Sequence, residues 1–253
     1  MVEVAGNLKI VRDRIIAAST RRSSEYQYFE PRLVAVSKIK PAELVISAYE
    51  AGQRYFGENY VNELVDKANH PAVLEKCKDI RWHFIGHLQK NKINKLLGTP
   101  NLYMIETVDN EKLATAIHGA WPKFRAQDSA RLKVMVQVNT SKEEDKNGCD
   151  VKDAPSLVKH VLENCTNLEF VGLMTIGMFG YDHSKDPNPD FVALKQCKAD
   201  VCKELNLDPK SVELSMGMSN DYEHAVELGS SSVRVGTAIF GERPKKESQA
   251  QQT

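Results

Sequence analysis

The chain has 253 residues, 42% of them hydrophobic and 27% charged, with 34 basic side chains against 34 acidic ones. That is enough to bury a substantial core in one large domain or two small ones, and zero formal net charge gives no electrostatic case for nucleic acid or an anionic membrane. Apolar runs fall short of the ~20 residues of a membrane span, there is no secretory leader, and five scattered cysteines without a CxxC pair point to reduced thiols in a cytosolic protein, not to a disulfide framework or metal site.

Val4, Leu8, Val11, Ile15 and Ile16 recur at helical spacing and predict an amphipathic helix over residues 3–20. Arg12, Arg14, Arg21 and Arg22 would suit organelle targeting and leave a mitochondrial pool as the alternative to the cytosol, but Glu3 and Asp13 favour a plain helix. A polar stretch then leads to LVAVSKIKP, Leu33–Pro41, which reads as a buried strand that delivers Lys38 and breaks into a helix with Pro41 at its first position. Alternation puts Val34, Val36 and Lys38 on one face. Desolvation of a lysine that continues an apolar row disfavours the ammonium and leaves an amine able to attack a carbonyl. The competing reading of the same stretch is a lysine that snorkels at a strand end.

From there a short apolar run, a turn and a helical pattern repeat. Strands are expected over 33–38, 54–57, 82–86, 102–107, 132–139, 168–175, 211–216 and 232–236, with helices over about 42–51, 59–69, 89–97, 110–119, 153–164, 190–205 and 220–228. A last helix would have to follow Thr237, where AIFGERP is a short and poor fit. Strands alternating with helices imply parallel βαβ units, and eight of them predict a single (β/α)8 TIM barrel with an extra N-terminal helix. An open doubly wound sheet would want a Gly-rich first turn, and SKIKP has no glycine. One domain is expected over 1–243, followed by a polar, disordered tail over 244–253.

Active sites of such barrels form where the strands end. There the sequence sets Lys38 after the first strand, Glu58 and Asn59 after the second, His83 in the third, Asn139 after the fifth, and Met174 and Thr175 after the sixth. Taken singly, His83 and Asn139 read first as satisfied core polar groups. The seventh strand runs into Ser215-Met216-Gly217-Met218-Ser219-Asn220-Asp221. Gly217 permits close backbone approach and Ser219 offers a hydroxyl beside the free N–H groups of a helix start, an anion-binding arrangement whose ordinary alternative is an N-cap. The eighth runs into Arg234-Val235-Gly236-Thr237. Phosphate sites of these barrels recur after strands seven and eight, so the set points to a phosphate-bearing carbonyl compound, with pyridoxal phosphate the first candidate. His83 and His87 span a strand end and a glycine and share no helix face as zinc ligands; Asp182, His183, Asp186 and Asp190 fall in a Pro-rich loop and read as solvated.

LVAVSKIKP, FGENYVNEL, WHFIGHLQKNK, VMVQVNTS, FVGLMTIG, ELSMGMSNDY and VRVGTAIFGERP together resemble the pyridoxal phosphate homeostasis protein family, over about residues 30–243. The resemblance implies a barrel like that of alanine racemase, with pyridoxal 5′-phosphate held as a Schiff base on Lys38. It assigns the phosphate to Ser219, Gly236 and Thr237 with backbone from Met218, and the ring pocket to Asn59, His83, Asn139 and Met174. Arg234 takes the position from which racemases direct an arginine at the pyridine nitrogen, where a cation keeps that nitrogen unprotonated and weakens the ring as an electron sink. Asn220 stands where the family more often carries a small residue. The implied function is vitamin B6 homeostasis: a cytoplasmic protein that binds the cofactor and supplies it to apo-enzymes, with no established turnover. The racemases' second, β-rich domain has no counterpart here, which favours a monomer.

Two other readings compete. One is a pyridoxal phosphate-dependent enzyme of amino-acid racemase type. The other is a barrel for a sugar phosphate, with Lys38 as a Schiff-base former of the aldolase kind.

Overall fold

The computed structural model describes residues 2–125, 131–143, 146–178, 180–182, 184 and 186–242. Helix α1 (Val4–Thr20) turns Val4, Leu8, Val11, Ile15 and Ala18 inward, whereas Ile16, expected on that face, is 64% exposed. One residue advances the helix by about 100°, so Ile15 and Ile16 cannot both face the core.

Eight strands follow: β1 (Arg32–Val36), β2 (Tyr55–Glu58), β3 (Arg81–Phe84), β4 (Leu102–Val108), β5 (Leu132–Asn139), β6 (Leu168–Met174), β7 (Glu213–Ser215) and β8 (Ser232–Val235). All run parallel in the order β4-β3-β2-β1-β8-β7-β6-β5, and β4 pairs with β5, which closes the expected barrel. A two-residue strand, Cys149–Asp150, adds to the end of β5.

The helices between them are α2 (Ala42–Glu50), α3 (Val61–Ala68), α4 (Pro71–Lys76), α5 (Ile93–Leu97), α6 (Glu111–Ala120), α7 (Ala154–Asn164), α8 (Pro189–Glu204), α9 (Tyr222–Glu227) and α10 (Thr237–Phe240). Three differ from expectation. The pattern over 59–69 is followed by an unforeseen helix, α4, which Pro71 opens at a position that needs no N–H. Pro41 lies just outside α2 in extended conformation, because the residue before a helix keeps a non-helical ψ. AIFGERP does supply the last helix, one turn long, stopped by Gly241 at φ 75°. The expected tail over 244–253 lies outside the described residues.

Strand alternation sorts the core. Leu33, Ala35, Phe56, Trp82, Phe84, Val233 and Val235 point outward and pack with the helices in one continuous core. Trp82 and Phe84 are fully buried, each contributing about 2–3 kcal/mol from burial. Val34 and Val36 belong to the inner set: a Cβ added at Gly57 would meet Val34 Cγ1 at 3.0 Å and Ile85 Cδ1 at 3.1 Å. Met104, Met135, Val171 and Met174 form a second cluster in the lumen.

At the N-terminal end of the lumen, Arg32 makes a bidentate pair with Glu213 at 2.7 and 2.9 Å, and Arg81 packs over the rings of Tyr55 and Tyr103. Burial alone would lower the Arg32 pKa, but the hydrogen bonds and charge of Glu213 outweigh it and raise it. These side chains plug the N-terminal end of the lumen.

Candidate functional site

β1 stops at Val36, two residues before Lys38. The Ser37 N–H still continues the ladder, donating to the Gly57 carbonyl at 3.1 Å, and the chain then turns through Lys38 and Ile39, with Lys40 N–H donating back to Ser37 O at 3.0 Å. Lys38 is half-buried at the C-terminal rim, in a turn and not on the strand as expected. The turn is strained, since Ile39 adopts φ 62°, a left-handed conformation that a β-branched side chain disfavours.

The exit of β8 lies against the exit of β1. Ala35 pairs with Val235, and a Cβ on Gly236 would stand 3.0 Å from the Val36 carbonyl oxygen, so this crossing admits glycine best. The exit of β7 joins them. Ser219 Oγ accepts from Gly236 N–H at 3.2 Å and from Ala238 N–H at 3.5 Å. Ser219 is therefore not the N-cap of the helix after it: α9 begins three residues later behind Asp221, whose carboxylate accepts the Met218 N–H at 2.6 Å. Gly217 turns the loop with φ 97°, and a Cβ there would sit 2.5 Å from Ala225 Cβ. Met218, Ser219, Gly236 and Thr237 thus form one half-buried rim, with the N–H end of α10 at its centre. Asn220 is exposed beside it.

Beneath the rim runs a chain of buried polar groups. His83 Nδ1 lies 2.5 Å from Glu106 Oε1, and Ser215 Oγ donates to Glu106 Oε2 at 2.6 Å. Arg234 donates through Nη1 to Ser215 Oγ at 2.6 Å and through Nη2 to the Thr175 carbonyl at 2.7 Å. Burial pushes the Glu106 carboxyl up, but the hydrogen bond and charge of His83, the charge of Arg234 and the Ser215 hydroxyl outweigh it and hold Glu106 below the usual carboxylate range. Burial lowers the Arg234 pKa against the charges of Glu106 and Asp221. His83 Nε2 and Asn59 Oδ1 are buried with no hydrogen-bond partner among the described residues, two polar atoms left over for a guest.

The remaining expected residues divide. Met174 lines the lumen with Met104 and Met135. Asn139 is committed to its own loop, donating through Nδ2 to the carbonyls of Glu143 at 2.9 Å and Lys146 at 3.3 Å. Thr175 exchanges a hydrogen bond with Thr140 at 2.9 Å and donates to Val138 O. His87 stands 3.9 Å from Asp109, apart from His83. Asp190 was expected in solvent and is instead 3% exposed, its carboxylate accepting the Met178 N–H at 2.6 Å, because the loop folds back over the start of α8. His183 lies outside the described residues. Glu106 is the residue that the sequence reading missed. Its signal was a carboxylate inside an apolar strand, in phase with Met104.

A strained lysine turn, a hydroxyl-and-amide rim and a buried arginine converge on one mouth, and this set fits a compound with an aldehyde at one end and a phosphate at the other.

Comparison with known proteins agrees. The profile of the alanine racemase N-terminal domain matches residues 16–244. The human pyridoxal phosphate homeostasis protein is 54% identical over 236 residues, covering 93% of this chain and 85% of that protein. The structure of PipY from Synechococcus elongatus PCC7942 with pyridoxal phosphate bound superimposes with a TM-score of 0.75 at 29% identity, covering 94% of this chain and all of that one. Alanine racemase of Clostridium difficile 630 shares the fold, with a TM-score of 0.65 at 14% identity over 93% of this chain and 57% of its own.

Proposed function

This chain belongs to the pyridoxal phosphate homeostasis protein family, and from that premise we propose that it binds pyridoxal 5′-phosphate as a Schiff base on Lys38 and releases it to apo-enzymes in the cytosol. The observation that carries this reading is the junction of three strand exits, where Ser219 Oγ bonds the Gly236 and Ala238 amides beside the chain leading to Lys38.

When bound, pyridoxal phosphate supplies an aldehyde that condenses reversibly with an amine and releases water. Lys38 offers that amine from the rim. Ser219, Thr237, Gly236 and the Met218 backbone would hold the phosphate. His83 and Asn59, each with a buried polar atom that lacks a partner among the described residues, would line the ring, and Arg234, fixed by Ser215 and Thr175, would be the cation for the ring nitrogen. A cation in that place disfavours protonation of the ring nitrogen and with it carbanion chemistry. Holding and releasing the cofactor is thus the better-supported role.

The test is spectroscopic. The loaded protein should show a visible absorption band that borohydride abolishes, with the reduced adduct mapping to the peptide containing Lys38. An unchanged band in Lys38→Ala sinks the assignment. Stereospecific exchange of amino-acid α-protons in heavy water would mark an enzyme instead.

A further inference from the structure

A second cluster of buried charge lies outside the barrel wall, directly behind the Lys38 turn. Lys67, in the last turn of α3, is 6% exposed, and its ammonium donates to the Ser37 carbonyl at 2.6 Å, to Glu58 Oε1 at 2.7 Å and to Glu63 Oε1 at 2.6 Å. Glu58, the fully buried last residue of β2, accepts the Ser37 hydroxyl through the same Oε1 at 2.6 Å. Glu63 in turn accepts the Ile39 N–H at 2.5 Å. Both neighbours of Lys38 are therefore held, Ser37 by its carbonyl and hydroxyl and Ile39 by its amide, through one interlocked set of side chains. Glu58 Oε2 has no hydrogen-bond partner among the described residues, so burial of this cluster is costly and needs a compensating reason.

That reason is at Ile39. A β-branched residue at φ 62° does not hold such a conformation alone; the surroundings must over-determine it. Relaxation of Ile39 toward ordinary backbone angles would swing the preceding residue, and Lys38 would leave the mouth. The three grips on Ser37 and Ile39 oppose that movement.

We infer that Lys67, Glu58 and Glu63 are positioning residues that clamp the Ser37–Ile39 turn and thereby fix where Lys38 presents its amine to a phosphorylated aldehyde. The inference rests on Lys38 being the amine that forms the Schiff base. None of the three touches the cofactor site itself; they act through the backbone of the turn.

The test separates bond formation from binding. Lys67→Met and Glu63→Gln are each mixed with pyridoxal phosphate and with pyridoxine phosphate, which has an alcohol where the aldehyde stands and cannot link to a lysine. Stopped-flow absorbance reads imine formation, and calorimetry reads affinity for the alcohol. Displacement of a reacting group by about an ångström costs up to ~100-fold, so imine formation should slow by at least ~10-fold in Lys67→Met. It should slow by a smaller factor in Glu63→Gln, whose amide oxygen still accepts the Ile39 N–H but no longer pairs as a charge with Lys67, and affinity for pyridoxine phosphate should stay within ~2-fold. Lys67→Arg should recover part of the rate. Should Lys67→Met fail to fold, Glu63→Gln carries the test alone. Wild-type imine rates in the folded variants, or equal losses for both ligands, overturn the clamp. Lys38→Ala run alongside distinguishes the failures: a visible band that survives there refutes the Schiff-base reading itself, whereas a band lost there with clamp variants at wild-type rates refutes only the clamp.

Discussion

Arg234 and Glu106 are joined through a single hydroxyl: Ser215 Oγ donates to Glu106 Oε2 and accepts from Arg234 Nη1, both at 2.6 Å. The two ions come from β8 and β4, far apart in the chain, and both are buried in the barrel lumen. The arrangement holds the guanidinium at two of its nitrogens while leaving its charge only partly neutralised by an indirect partner. It also means that neither ion can be deleted cleanly.

Arg234→Met should leave Glu106 buried with His83 and Ser215 as its remaining partners. Removing one member of a buried pair costs about 3–5 kcal/mol, because the other charge stays behind. The double variant Arg234→Met, Glu106→Gln removes both charges and should recover a good part of that loss. Denaturant unfolding of the two variants checks this; an additive double variant would show that the two residues do not act as a unit.

Glu58 gives the fold an unusual pH dependence. Burial, opposed by the charge and hydrogen bond of Lys67 and by the Ser37 hydroxyl, pushes its carboxyl up to about 7 from an ordinary value of 4.5. Between those values the native state keeps a proton that the unfolded chain has lost, so stability falls as pH rises from about 4.5 to about 7 and then levels off. The span sets the effect on the order of 3 kcal/mol. Glu106 works with the opposite sign: depressed in the fold, its contribution is present above the ordinary carboxylate range and disappears as pH falls through its native value. Subtracting the Glu58→Gln stability profile from that of the wild type should isolate a decline across this window. A flat difference would place Glu58 as a plain ionised partner of Lys67.

Ser219→Ala removes the acceptor shared by the Gly236 and Ala238 amides. The loss should weaken pyridoxal phosphate binding by about tenfold, or about 1.4 kcal/mol, while imine formation on Lys38 survives at saturating cofactor. Equilibrium dialysis beside the visible spectrum checks both halves. Unchanged affinity would move the phosphate away from the β7 and β8 exits.

The barrel was legible because its evidence is local and repeated. Each of the eight apolar runs is set off by its own turn, seven of them before a clear helical pattern, and errors stayed at the ends, as at Lys38, which the turn takes over once the ladder from Ser37 is complete. The rim was legible for the same reason, since Gly217, Ser219, Gly236 and Thr237 lie where two strands stop. What escaped were relations between distant segments. Nothing near Lys67 says that its ammonium reaches the Ser37 carbonyl, and nothing near Glu106 names Ser215, 109 residues on, as its partner. Asp190 was misplaced likewise, because it sits in the first turn of α8 and is buried only where the segment at Met178 packs against it, which composition does not reveal.

Two glycines should respond to alanine in opposite directions. Gly217 holds φ 97°, and an added Cβ would meet Ala225 Cβ at 2.5 Å and Tyr222 Cα at 3.1 Å, so both backbone and packing oppose the change. Gly217→Ala should cost about 2 kcal/mol or more and weaken phosphate retention, since the loop that aims Ser219 must shift. Gly119 lies in α6, is exposed, and has nothing within 4 Å of an added Cβ. Alanine there should stabilise by roughly 0.5–1 kcal/mol through helix propensity and a smaller entropy loss, with cofactor binding untouched. Thermal melts of both variants, with and without pyridoxal phosphate, separate the cases: Gly217→Ala should lose part of the cofactor-induced rise in Tm, and Gly119→Ala should keep all of it. A full rise in Gly217→Ala would show that the turn shapes the fold without shaping the phosphate site.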